Sequence, residues 1–157
     1  MLRWATLLLF VPAVIWAADP FAGTWKLNVS KSKYNQGAPP KDQIVTITNT
    51  GDNQVNSVTI TPATGDPISY RYTVPTKGGT GEVSLQRDAS GSRGSFDAVT
   101  GKRANENTRD LRFTMNGKEV RTVHSVISKD GKTMQVTVKG TDALGHPVDA
   151  VMVLERQ

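Results

Sequence analysis

Turn residues interrupt this chain so often that a helix of useful length has nowhere to form. After residue 20, clusters of Gly, Pro, Asn and Asp recur roughly every 8–15 residues, with runs rich in Val, Ile and Thr between them. Strands are expected near 22–28, 43–50, 54–61, 67–74, 81–86, 94–99, 108–115, 118–128, 132–140 and 147–156. An all-β sandwich or barrel is the fold class that such a rhythm supports. Two stretches look irregular. Residues 30–42 carry Gly37, Pro39 and Pro40, and residues 87–107 are rich in Ser, Gly, Asn and charge, with Phe96 and Val99 as their sizeable apolar anchors.

Some turns also predict register. Asn116-Gly117 suits a two-residue type I′ turn, where both positions take positive φ. It sets Met115 opposite Lys118, Phe113 opposite Val120, Leu111 opposite Thr122 and Arg109 opposite His124. The face carrying Phe113 is then the inner one. At Lys129-Asp130-Gly131, a two-residue loop aligns Ile127 with Met134, whereas a three-residue loop aligns Val126 with Met134 and His124 with Val136. The three-residue loop is expected, because it alone keeps one continuous apolar face, and a one-residue slip inverts every side chain.

The first residues have the order of an export signal: Arg3, an apolar stretch from Leu7 to Ile15, and small residues at Ala17 and Ala18. Cleavage is expected after Ala17, leaving a domain over 18–157 with no membrane span, since a span needs roughly 20 apolar residues. The 157 residues include no cysteine, so neither disulfides nor thiolate metal sites are available. An exported chain without cysteine fits a periplasmic or secreted location. The formal charge is +5, and acids interleave with the basic residues between Arg87 and Arg121. A nucleic-acid footprint would be a one-sided basic stripe, so no nucleic-acid partner is expected.

After residue 20 the chain opens Phe21-Ala22-Gly23-Thr24-Trp25-Lys26-Leu27-Asn28 and ends Val151-Met152-Val153-Leu154-Glu155-Arg156-Gln157. Gly-Thr-Trp-Lys-Leu on a first strand resembles the opening of the calycins, both lipocalins and intracellular fatty-acid-binding proteins. The resemblance implies a single antiparallel up-and-down β-barrel, lipocalin-like, of about 8–10 strands. It also implies that Trp25 plugs one barrel end beneath Arg156. The chain departs from the fatty-acid-binding pattern at two places. Residues 30–42 are too short and Pro-rich for a helical lid, and Met152 and Leu154 stand where an Arg-X-Tyr carboxylate anchor would be.

The chemistry-bearing residues are few. His124 and Arg109 are expected to face inward as a polar spot in an apolar cavity, and His146 to be solvated in a turn before Pro147. Ser125 adjoins His124 but points the other way on a strand, so no Ser-His-Asp arrangement results. No metal-ligand spacing and no carboxylate pair stand out, and no cofactor is expected. Tyr70 and Tyr72 share a face and either line a cavity or pack as core aromatics. Phe113, Met134 and Met152 are adaptable lining if a cavity exists. The expected function is an exported, monomeric, non-enzymatic protein holding a small apolar or amphipathic ligand. The candidate ligand-binding residues are Tyr70, Tyr72, Arg109, Phe113, His124, Met134 and Met152. One rival is a structural or protein-binding barrel with a packed interior and 87–107 as its contact segment. The other is an enzyme using Arg109, His124 and the tyrosines as an acid–base set.

Overall fold

The computed structural model describes residues 18–85 and 94–157, and most apolar runs in them are strands. The expected leader, residues 1–17, the last residue of the expected strand 81–86, and residues 87–93 of the expected irregular segment lie outside that range. β1 (Gly23–Leu27) and β2 (Lys33–Gln36) are short, and a single 3-10 turn over Val29–Lys31 separates them. The Asn28 side chain caps that turn by accepting from the Lys31 N–H at 3.1 Å. β3 (Asp42–Thr50), β4 (Asn53–Thr61), β5 (Ile68–Pro75) and β6 (Gly78–Leu85) come next. β7 (Ala98–Asn105), β8 (Thr108–Met115), β9 (Lys118–Ile127), β10 (Thr133–Thr141) and β11 (Pro147–Arg156) complete the sheet.

Each strand from β3 to β11 pairs antiparallel with the next, and β1 pairs with both β3 and β11. Ten strands therefore close into an up-and-down antiparallel barrel, all-β as the turn rhythm predicts and a single closed barrel as the resemblance at the chain ends implies. Closure removes the free edges that would otherwise invite association. β2 is an eleventh strand, docked on Asp149–Val151 of β11 beyond the reach of β1. It sits inside the 30–42 segment expected to be irregular. The 3-10 turn steps the chain sideways, so that β1 and β2 share one edge of β11 in succession.

Alternation decides which side chains face in. In β10, Met134, Val136 and Val138 are buried while Gln135 and Lys139 are exposed. Each such aliphatic side chain contributes about 1.5–3 kcal/mol by leaving water. β7 lies over 98–105 rather than the expected 94–99, and one of its inward positions is Gly101. Gly101 is buried, and a Cβ there would lie in ordinary contact, 3.5 Å from Val74 and Leu111. A strand whose inward residue is glycine shows no apolar alternation.

Register in β8–β9 starts as expected and then departs. Asn116 has φ 50° and Gly117 φ 75°, and Met115 pairs with Lys118. A bulge between Phe113 and Thr114 then inserts one extra residue in β9. Phe113 faces Arg121, Leu111 faces Val123, and Asp110 faces His124. Each insertion of this kind inverts the facing of the remainder of the bulged strand. Arg121, Val123, Ser125 and Ile127 turn inward, and His124 turns out. β10 keeps the same parity, with Ile127 opposite Met134 and Ser125 opposite Val136, the alignment of the shorter loop rather than the three-residue loop expected. Gly140 accommodates the bulge: a Cβ there would run into the Val120 carbonyl, and its φ of 115° disfavours other residues.

The centre of the barrel is packed. Phe96, from the chain entering β7, meets Phe113 at 4.8 Å and Tyr70 edge-on at 5.3 Å, and Tyr72 meets Phe113 edge-on at 5.3 Å. These rings divide the interior into a base, where β1 begins and β11 ends, and a mouth, where β11 begins and β3 starts.

Candidate functional site

The base is closed by the chain just before β1. Trp25 is fully buried, donates from its indole N–H to the Phe21 carbonyl at 2.9 Å, and lies 4.2 Å beneath the Arg156 guanidinium. Arg156 in turn donates to the carbonyls of Gly131 (2.7 Å), Ala22 (2.6 Å) and Pro20 (2.6 Å). Phe21 is also buried, with Arg103 at 4.6 Å and Arg109 at 4.8 Å from its ring centre. Asp19 accepts from Arg103 at 2.8 Å and from the Gln54 amide at 3.0 Å. Burial raises the Asp19 carboxyl, yet the hydrogen bonds from Arg103 and the Phe21 N–H outweigh it and leave the group below its ordinary value.

Arg109 points inward, but its guanidinium is committed to the base. It donates to Gln54 and, at 3.2 Å, to the Asn56 amide oxygen. Burial pushes its pKa below the usual arginine value, and Tyr72 and Asp19 partly offset that. Burial likewise raises the Tyr72 phenol, with Arg109 opposing. Tyr70, Tyr72, Arg109, Phe113, Met134 and Met152 border a residual void of about 40 Å³, too small for a ligand of drug size. His124 does not join them. It is half-exposed on the outer face, its Nδ1 2.6 Å from Asp110 Oδ1, because the bulge reverses the parity of β9. The Arg109–His124 polar spot expected inside the barrel is therefore not formed. Nor is the acid–base set of Arg109, His124 and the tyrosines.

The larger space lies at the mouth, a cavity of about 360 Å³. Its rim is the 37–40 connection between β2 and β3, the 62–64 turn after β4 and the 142–147 turn before β11. Asp142 organises the last of these: its Oδ1 accepts from the N–H groups of Leu144 and His146, both at 2.9 Å. His146 is exposed there, with Nδ1 3.3 Å from Asp142 Oδ2. The Ser95 N–H reaches the Ala143 carbonyl at 3.1 Å and ties the entry to β7 onto the same turn. Below the rim, Ile60, Ile68, Val138, Val148 and Met152 make the wall apolar. Of the expected ligand-binding residues, Met152 alone borders this cavity.

Three polar residues interrupt that wall: Tyr34, Gln43 and Arg121. Arg121 is 8% exposed, and its guanidinium carbon lies 5.6 Å from the Phe113 ring centre and 5.9 Å from that of Phe96. Among the described residues, no carboxylate pairs with it and its buried Nε has no acceptor. The buried Tyr34 hydroxyl also has no partner there, and desolvation pushes its pKa up to about 12. Gln43 is buried on the inner face of β3.

Sequence reasoning missed Arg121 because the register expected from Asn116-Gly117 puts Val120 and Thr122 on the inner face and leaves Arg121 between them on the outer one. Gly140 is the signal that betrays the bulge. Tyr34 was missed with β2. Among the described residues, no three His, Asp or Glu side chains gather as a metal site. No protein-family model matches this chain, and no curated protein matches it.

Proposed function

We propose that this chain is an exported binding protein of the calycin type that takes up a small apolar or amphipathic molecule. The mouth cavity, rather than the barrel centre, is its site. Its volume carries the reading: about 360 Å³ with a mainly aliphatic wall falls in the range of small-molecule sites, which begin at roughly 300 Å³. The ten-strand closure and the arginine over Trp25 support the calycin resemblance, and the leader-like first residues support export. The packed aromatic centre favours the second reading, an interaction barrel without a ligand.

Filling the cavity separates the two. Titration with the neutral fluorophore N-phenyl-1-naphthylamine is expected to show saturable binding to the wild type. Ile68→Trp places an indole in that space and is expected to abolish binding while leaving the melting temperature close to the wild type's. Absence of saturable binding, or binding indifferent to Ile68→Trp, would favour the ligand-free barrel.

A further inference from the structure

Four arginines of this barrel approach buried aromatic rings, and three of them have hydrogen-bond acceptors, although the buried Nε of Arg109 has none among the described residues. Arg103 meets Asp19, Arg109 meets Gln54 and Asn56, and Arg156 meets three carbonyls. Arg121 is the exception, buried in the cavity wall without an acceptor among the described residues. Taking a guanidinium out of water without a counter-charge is costly, and an unpaired buried cation is a large local liability. The Tyr34 hydroxyl, on β2, is a second buried group without a partner in the wall of the same cavity.

Both groups are of one kind. Guanidinium has donors and no acceptor, and the phenol stays protonated across physiological pH, so each has a hydrogen to give. A ligand that satisfies them must bring acceptor oxygens and negative charge. Asp142, the acid lining the rim among the described residues, already holds two backbone N–H groups and faces His146. The rest of the wall is aliphatic.

We propose that Arg121 and Tyr34 form a receptor for the carboxylate-type head group of an anionic amphiphile, whose apolar body lies against Ile60, Ile68, Val138 and Met152. This rests on the mouth cavity being the binding site and adds the class of ligand. A guanidinium matches a carboxylate bidentately, and the phenol adds one further hydrogen bond. A cationic amphiphile of the same length is rejected by the same charge.

Calorimetric titration with decanoate, 1-decanol and decyltrimethylammonium tests it on the intact chain. Decanoate is expected to bind the wild type roughly ten- to hundredfold more tightly than decanol, the worth of a charge-assisted hydrogen bond. Decyltrimethylammonium is expected to bind least. Arg121→Met should bring decanoate down to the level of decanol, and Tyr34→Phe should narrow the gap part of the way. Arg121→Lys, which keeps the charge and loses the planar fork, should keep an intermediate preference. The melting temperature of unliganded Arg121→Met should not fall, since the side chain has no hydrogen-bond acceptor to lose and methionine keeps an apolar contact with the Phe96 and Phe113 rings while relieving the buried charge. Equal affinity of acid and alcohol for the wild type, or a preference that survives Arg121→Met, would overturn the head-group assignment while leaving the cavity as an apolar site. Failure of all three probes to bind would overturn both.

Discussion

At the base of the barrel three arginines approach two buried rings, Phe21 and Trp25, and each guanidinium finds acceptors. At the mouth one arginine approaches two rings, Phe96 and Phe113, and finds none among the described residues. The base is also filled, its plug supplied by Asp19 to Ala22, whereas the mouth keeps about 360 Å³ open. The same residue types serve two ends differently, and the difference is one of satisfied hydrogen bonds. A satisfied cation over a ring contributes to stability, while the unsatisfied one beside the cavity is what the head-group proposal rests on.

The largest expected effect lies at the base. Trp25→Ala removes a fully buried ring and leaves Arg156 without its platform. A loss of about 3–5 kcal/mol is expected, seen in a thermal melt as a fall of roughly 10 °C or more. A shift within error would mean that the base does not anchor the fold.

Gly140→Ala comes next. The new methyl meets the Val120 carbonyl in a backbone conformation that disfavours side chains, so a loss of about 1–3 kcal/mol is expected. The bulge that turns Arg121 inward should loosen with it, and chemical denaturation together with the decanoate titration would register both consequences. Unchanged stability would show that the bulge does not depend on this glycine.

Asp19→Asn gives a smaller effect that depends on pH. The folded-state carboxyl lies below its unfolded value, so its contribution is full above about pH 4 and disappears as pH falls through the lower folded value. Melts at pH 7, 5 and 3 should show the wild type converging on the variant at the acid end. A constant difference across that range would mean that the Asp19–Arg103 pair is not the linked group.

Legibility in the sequence differed between the two ends for a physical reason. The strands derive from turn chemistry and alternation, which are local, and the runs from 108 to 156 match the structure closely; their closure into one barrel was implied by the calycin-like ends. The Trp25–Arg156 contact needs only that the first strand pair with the last. The mouth depends on parity, which one bulged residue reverses. Val120 is that residue, and with it His124 leaves the interior and Arg121 enters. Continuity of an apolar face was a poor guide here, since the true inner face of β9 carries Arg121 and Ser125 beside Val123 and Ile127. β2 was hidden because its four residues, Lys33 to Gln36, are polar apart from the Tyr34 ring. β7 was misplaced by the glycine at its inward position.

Two arginine variants measured side by side bear most directly on the division between the ends. Thermal melts of Arg156→Met and Arg121→Met are recorded with and without saturating decanoate. Arg156→Met is expected to lower the melting temperature and keep the upward shift on adding decanoate, because ligand that binds only the folded state raises stability. Arg121→Met is expected to leave the unliganded melting temperature unlowered and to lose most of that shift. Equal destabilisation by the two substitutions, or a decanoate shift that persists in Arg121→Met and vanishes in Arg156→Met, would contradict a base built for stability and a mouth built for binding.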